Sequence, residues 1–256
     1  MAIIALKAWY LSNYEPIREL EKRPHDLRLA KNSLLKSALR ADFLEDIEEV
    51  KQAEWFQRYL EGDHVEFYIE GSGTYAIANI DLISHEIYFA KQDSLANLDP
   101  TIFLCYQSEY SDSSDLLRDE LEAFIKRFNG KSRLPLSLVE SHRLSQGPVR
   151  INSDLMRKIR RSLLFIADGT PVIGINGTPP QLIPSPKVCV EMGYALQSKR
   201  PEQIILAQME RSDLPGQFPF DTPTHNRLSF TKQSELHKAL PQLLQERLQR
   251  FNLVSQ

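Results

Sequence analysis

The chain has little that would commit it to a metal, a disulfide framework, a membrane or a nucleic acid. It has only two cysteines in 256 residues, Cys105 and Cys189, each inside an apolar segment. A disulfide scaffold or a four-ligand zinc centre needs more thiols, and the six histidines show no metal-ligand spacing. Both thiols are expected to be buried, in a protein of the reducing cytoplasm. The 34 acidic and 31 basic residues nearly cancel, with no long run of one sign, so a groove for a phosphate backbone and direct nucleic-acid binding are not expected. No apolar run approaches the roughly 20 residues of a membrane helix. The opening MAIIALKAWYLSNYEP lacks a basic head and a small-residue cleavage site, and reads as a first strand rather than a secretory signal. Internal repeats and low-complexity tracts are absent. The glycines of GINGTPP (174–180) form no phosphate-cradling fingerprint, since neither a GxGxxG after a strand nor a Lys-Ser/Thr pair accompanies them.

What is present is ordinary globular composition, 42% hydrophobic and 25% charged. That is enough core for one large domain or two small ones. The polar stretch AKQDSLANLDPT (90–101), ending in Asp-Pro, is the expected boundary. Before it, Ile3 to Leu11 is strand-like. Asp42 with Glu45 forms a capping box, predicting a helix through Phe43, Leu44, Ile47, Val50 and Phe56 to a stop at Gly62. HVEFYIEGSGTYAIANIDLISHEIYFA (64–90) alternates apolar and polar residues around a Gly-Ser-Gly turn, predicting an antiparallel meander of two or three strands. Residues 1–95 are thus expected to form a small α+β module.

Beyond the boundary, strands alternate with helices. TIFLCYQ (101–107), SLLFIAD (162–168) and EQIILAQM (202–209) are short apolar runs of the kind buried on both faces. LPLSLVE (134–140) and RLSFT (227–231) are weaker strand candidates. Helices are expected after Ser113-Ser114, around 152–161, from Ser185-Pro186 onward and over about 232–250. GTPVIGINGTPPQLIPSP reads as a loop. The alternation predicts a parallel sheet with helices on both faces over residues 100–256. In such sheets ligands sit beyond the carboxyl ends of the strands, which selects the loops after residues 107, 168 and 209.

Within SPKVCVEMGYAL (185–196), apolar residues fall all round the predicted helix, so it is expected to be largely buried, with Glu191 in its middle. One reading of Glu191 is a surface pair with Lys187 four residues earlier; the other is a functional carboxylate. Asp168 is either a turn former or a site residue, and Tyr194 either core or ligand contact. Cys105 and Cys189 have no histidine near them in sequence that would make either a nucleophile. His25, His64, His85, His142 and His237 look isolated, His225 in PFDTPTHNRLSF is the histidine to watch, and Arg160-Arg161 reads as a solvated helix face.

Three segments together carry a family resemblance: IFLCYQSE, SLLFIADGT and SPKVCVEMGYAL. They resemble the TIR-like nucleotide-cleaving domains of bacterial anti-phage effectors, related in layout to nucleoside 2-deoxyribosyltransferases. The helix pattern is met at Pro186, Val188, Glu191, Gly193, Tyr194 and Ala195, and the strand end at Ile166, Ala167, Asp168 and Thr170. FPFD (218–221) resembles a stretch preceding the last strand. The resemblance covers about residues 100–250 and implies a flavodoxin-like or TIR-like α/β domain that cleaves the nicotinamide–ribose bond of NAD+. Under it Glu191 is the catalytic residue, Tyr106, Gln107, Ser108, Asp168 and Tyr194 contact the NAD+, and NAD+ is substrate with no further cofactor or metal. It also implies control through residues 1–95, by assembly of copies or by an activating partner. Two other functions remain open, a nucleoside or nucleotide deoxyribosyltransferase or N-glycoside hydrolase, and a non-catalytic nucleotide-sensing scaffold.

Overall fold

A computed structural model describes residues 5–34, 38–91, 97–141, 153–218 and 226–254. The chain divides into two compact units, residues 1–98 and 99–256.

The first unit corrects the expectation of a small α+β module. It is a closed antiparallel barrel of six strands: β1 (Ala5–Tyr10), β2 (Leu27–Leu34), β3 (Ala38–Phe43), β4 (Glu66–Ile69), β5 (Gly73–Asp81) and β6 (Glu86–Lys91), in the order β1-β2-β3-β6-β5-β4. Strand β1 pairs with both β2 and β4, which closes the ring and leaves no edge strand. The cause is period-two burial that persists around the whole circuit. Leu27 and Leu29, then Leu39, Ala41 and Phe43, then Phe67 and Ile69, then Ile87 and Phe89 all point inward at every second position.

That same alternation overrides the capping box. Asp42 and Phe43 belong to β3, where Asp42 sits opposite Ala30 and Glu86. The Glu45 carboxylate accepts hydrogen bonds from the backbone and side chain of Arg28. Helix formation waits until α2 (Ile47–Gln52), and extended backbone at Ala53 separates it from α3 (Glu54–Leu60), after the single turn α1 (Ile17–Leu20) earlier in the chain. Val50, Trp55 and Phe56 pack onto the barrel core, with Trp55 edge-on to Phe67 at 5.2 Å between ring centres.

The second unit is a five-stranded, wholly parallel sheet built from β7 (Asp99–Cys105), β8 (Ser137–Glu140), β9 (Ser162–Asp168), β12 (Ile204–Met209) and β13 (Arg227–Phe230). Between β9 and β12 lies a two-stranded hairpin, β10 (Pro171–Ile175) with β11 (Gln181–Pro184), in the stretch expected to be a loop. The order β13-β12-β9-β7-β8, counted along this unit, is the doubly wound 2-1-3-4-5. Helix α4 (Ser111–Asn129) packs with α7 (Gln233–Gln249), and α5 (Ser153–Arg161) packs with α6 (Pro186–Ser198). Helix α4 begins at Ser111, so Ser113 and Ser114 lie inside its first turn and are buried. The core beneath α6 holds Phe103, Cys105, Phe165, Ala167 and Leu206, with Phe103 stacked on Phe165 at 5.8 Å.

Helix α6 does not bury its whole circumference. Its inner face is Val188, Glu191, Met192 and Ala195, whereas Val190 and Leu196 are 48% and 55% exposed. Three of these four inner residues are apolar. The helix is therefore amphipathic in the usual way, with a glutamate on its apolar side. Its end is fastened by Lys199, 8% exposed, whose ammonium donates to the carbonyls of Ser162 and Arg160.

Burial lowers the Lys199 pKa to about 7. The unfolded chain keeps that proton up to about pH 10.4, so between these values it binds more protons than the native state and stability rises with pH. The desolvation cost is complete below about pH 7 and fades toward about pH 10. Lys199→Met is expected to be most favourable relative to the parent in urea unfolding near pH 6 and to lose that advantage steadily toward about pH 9. A pH-independent difference would mean that Lys199 is not desolvated as described.

Candidate functional site at the strand ends

A doubly wound sheet leaves a crevice where the crossovers diverge, here between the carboxyl ends of β7 and β9. Two loops leave that point, residues 106–110 and 169–170, and a network around Asp168 fixes both. Asp168 is 0% exposed. Its Oδ2 accepts the hydroxyls of Ser113 and Ser114 at 2.6 and 2.5 Å, and its Oδ1 accepts the Thr170 N–H at 3.0 Å. The Ser114 oxygen in turn accepts the Gln107 N–H at 3.0 Å, and the Gln107 side-chain amide donates to the Thr170 carbonyl at 2.9 Å. Thr170 Oγ1 accepts the Met209 N–H, tying in the end of β12. Asp168 is thus consumed in building the crevice and presents no oxygen to a ligand.

The sheet separates the remaining sequence-predicted residues. Tyr106 lies on the α4 face under the Arg118 guanidinium, 5.1 Å from its ring centre, and Arg118 is paired with Asp115 and Glu140. Val139 packs into the α6-side core, and strand alternation turns Ser141 toward that same face. Glu191 is 2% exposed on the inner face of α6, and Lys187 forms no ion pair with it, so the surface-pair reading fails. Tyr194, one turn further along, packs against the same core. Ser108 is exposed and bonds to Glu109.

Three buried polar atoms at this end of the sheet have no hydrogen-bond partner among the described residues: Gln107 Oε1 after β7, Ser141 Oγ after β8, and Ser185 Oγ at the start of α6. Each costs about 1–3 kcal/mol if left unsatisfied, and all three lie at one end of the sheet, where water or a polar ligand can pair with them. Sequence reading missed Ser141, Ser185 and Glu109. Ser185 was seen only as a helix start. Glu109 stands beside the Ser185 hydroxyl and Lys187. Burial works to raise its pKa, but the backbone N–H groups of Glu109 and Ser108, the Ser185 hydroxyl and the Lys187 charge together hold it below the ordinary carboxylate range.

The other candidates separate cleanly. Cys105 is buried and Cys189 half-buried, neither in a disulfide among the described residues, and burial raises the Cys189 pKa, away from nucleophile behaviour. His85 stacks on Phe43, His64 meets Glu66, and His237 meets Glu120 at 2.9 Å. His142, His225 and Pro219-Phe220-Asp221 of FPFD lie outside the described residues. Among the described residues there is no group of three or more His, Cys, Asp or Glu able to hold a metal ion, and no helix long and apolar enough to cross a membrane.

No family model matches the chain, and no curated protein does. Among solved structures it is similar to a metal-soaked Flv1 flavodiiron core from Synechocystis sp. PCC6803, at 14% identity and a TM-score of 0.36. That match covers 59% of this chain and 36% of the other, so the chain spans about a third of that structure.

If Asp168 is the joint of the crevice, Asp168→Ala is expected to lower stability by about 3 kcal/mol in urea unfolding, by orphaning three buried donors. Ser114→Ala should cost about 1–2 kcal/mol. A loss below about 1 kcal/mol for Asp168→Ala would remove it from this role.

Proposed function

We propose that the chain is an NAD+ glycohydrolase with Glu191 as its catalytic carboxylate. The observation that carries this reading is a glutamate held on the buried face of α6, at the end of the sheet where Gln107, Ser141 and Ser185 offer unused polar atoms. The chemistry asks for little else. Nicotinamide in NAD+ is already a cation, so the C–N bond breaks with the electron pair returning to the ring nitrogen and no general acid is needed. Positive charge builds on the ribose. A carboxylate in a low-dielectric site stabilises that oxocarbenium-like centre far more than it would in water. Water then adds to the anomeric carbon and its proton leaves by way of Glu191 to solvent, giving ADP-ribose; capture by an internal nucleophile gives a cyclic product.

In this reading Gln107, Ser141 and Ser185 receive the ribose hydroxyls and the carboxamide, groups able to use both donors and acceptors. Tyr194 lines the apolar floor. Asp168 acts through Ser113, Ser114 and Thr170 as a positioning residue, and Tyr106 is held on the opposite face by Arg118. The family resemblance further supports a cytoplasmic defence role, with control through residues 1–95 by assembly of copies or by a partner.

The test is nicotinamide release from NAD+ by the concentrated full-length protein, beside Glu191→Gln. Release by the parent and a loss of about 100-fold or more in the variant is expected. Equal release by both proteins would rule out Glu191. Silence toward NAD+ with a glycosyl adduct on Glu191 from a nucleoside would replace the reading with a deoxyribosyltransferase. Silence toward both would leave a nucleotide-sensing scaffold.

A further inference from the structure

A second concavity lies away from Glu191. It is a cleft of about 700 Å³ beyond the ends of β12 and β13, within the usual size range of small-molecule sites. We infer that this cleft is a second subsite that takes a nucleoside phosphate, the adenylate half of the same dinucleotide. The identity of the dinucleotide rests on the glycohydrolase reading; the chemistry of the cleft does not.

The floor is set by strand register. Gln208 lies opposite Ser229, and Leu206 lies opposite Arg227, so Gln208, Ser229 and Arg227 share one face of the sheet with Leu206. Leu206 is part of the core under α6, so the cleft opens on the same face as Glu191. Pro171 and Leu182 of the β10–β11 hairpin form one wall. The two sites adjoin through consecutive residues: the Thr170 carbonyl holds Gln107 of the crevice, and Pro171 lines the cleft.

Arg227 supplies the recognition. Its guanidinium sits 5.6 Å from the Phe218 ring centre and reaches Gln208 Oε1 at 3.4 Å, but no carboxylate among the described residues lies within ion-pair distance. Arg211, also in the lining, differs. It is neutralised by Asp213 and anchored to the Pro171 carbonyl at 3.1 Å, so it stiffens the wall without offering free charge. An uncompensated arginine in a concave wall, oriented by an aromatic ring and an amide, suits the paired oxygens of a phosphate. Glu210, exposed and in the same lining, forms no ion pair among the described residues either. A carboxylate there accepts from ribose hydroxyls, as acidic residues do in dinucleotide sites, and repels a ligand that is anionic throughout. One cation, one carboxylate and an apolar wall select a molecule with a phosphate, a diol and a flat apolar part.

The test is calorimetric titration of AMP and of adenosine into the full chain, its Arg227→Gln and Arg227→Lys variants, and Glu210→Gln. AMP is expected to bind the parent about tenfold or more tightly than adenosine, the worth of one charge-assisted contact. Arg227→Gln should erase that difference, Arg227→Lys should keep part of it, and Glu210→Gln should weaken both ligands alike. Adenosine binding the parent as well as AMP does, or Arg227→Gln binding AMP like the parent, would overturn the subsite. The AMP–adenosine comparison needs no variant, so a substitution that fails to fold leaves the test standing. AMP carries no nicotinamide bond, which separates the two readings. Arg227-dependent AMP binding in a chain that never releases nicotinamide keeps the subsite and discards the glycohydrolase. Glu191-dependent release with AMP indifferent to Arg227 does the reverse.

Discussion

The carboxyl edge of the second unit depends on a single buried carboxylate. Asp168 has no exposed surface, and a charge in that position is tolerable only because two hydroxyls and a backbone N–H saturate it. Those donors come from the first turn of α4 and from the residue that leads into the β10–β11 hairpin. One side chain therefore sets the spacing between the two loops that leave the switch point. Ser114 carries the constraint one bond further, to the Gln107 backbone, and the Gln107 amide closes the circuit on Thr170. The rigidity of this ring lets neighbouring polar atoms, Gln107 Oε1 among them, stay buried with no partner among the described residues.

Glu191 shows what periodicity can and cannot reveal. The apolar content of α6 was plain in the sequence, but counting it all round the cylinder predicted a largely buried helix, and the structure exposes Val190 and Leu196. Apolar residues on a solvent face are common, because proteins lack enough polar surface to cover themselves. The informative feature was the reverse, a carboxylate in phase with Val188, Met192 and Ala195. Val188 and Ala195, three and four residues from Glu191, share its buried face; Lys187 is also four residues away, so spacing alone could not separate a surface pair from a buried carboxylate. Asp168 was also legible as a strand-end residue, yet its role was not, since its partners Ser113 and Ser114 lie more than fifty residues away in sequence.

The first unit was misread for a different reason. Leu27-x-Leu29 and Leu39-x-Ala41-x-Phe43 are period-two patterns as clear as those of β4 to β6, but short, and the second overlaps a capping-box signature at Asp42 and Glu45. A capping box is worth about 1 kcal/mol, whereas burying Leu39 and Phe43 is worth several, so the strand wins locally. Closure itself is not written in any one segment. It arises because β1 has two partners, β2 and β4, separated by more than thirty residues of intervening chain. A pattern of half-buried strands is equally consistent with an open sheet covered by helices, and α2 and α3 are too short to cover one.

The hairpin β10–β11 also escaped the sequence, since its glycines and prolines read as a loop, but its position gives it consequence. It is inserted between β9 and α6, so it lies between the crevice at the ends of β7 and β9 and the cleft that holds Arg227. Its first residue, Pro171, is gripped from the cleft side by Arg211 through its carbonyl, while the preceding Thr170 is gripped from the crevice side by Gln107 and from β12 by the Met209 N–H. A displacement of Thr170 cannot be confined to one side, because its carbonyl and its hydroxyl serve different strands. The crevice and the cleft are therefore joined through a two-residue segment held by Asp168, Gln107, Met209 and Arg211. A ligand long enough to occupy both would meet one rigid wall instead of two independent ones, and ordering that wall would cost it little on binding.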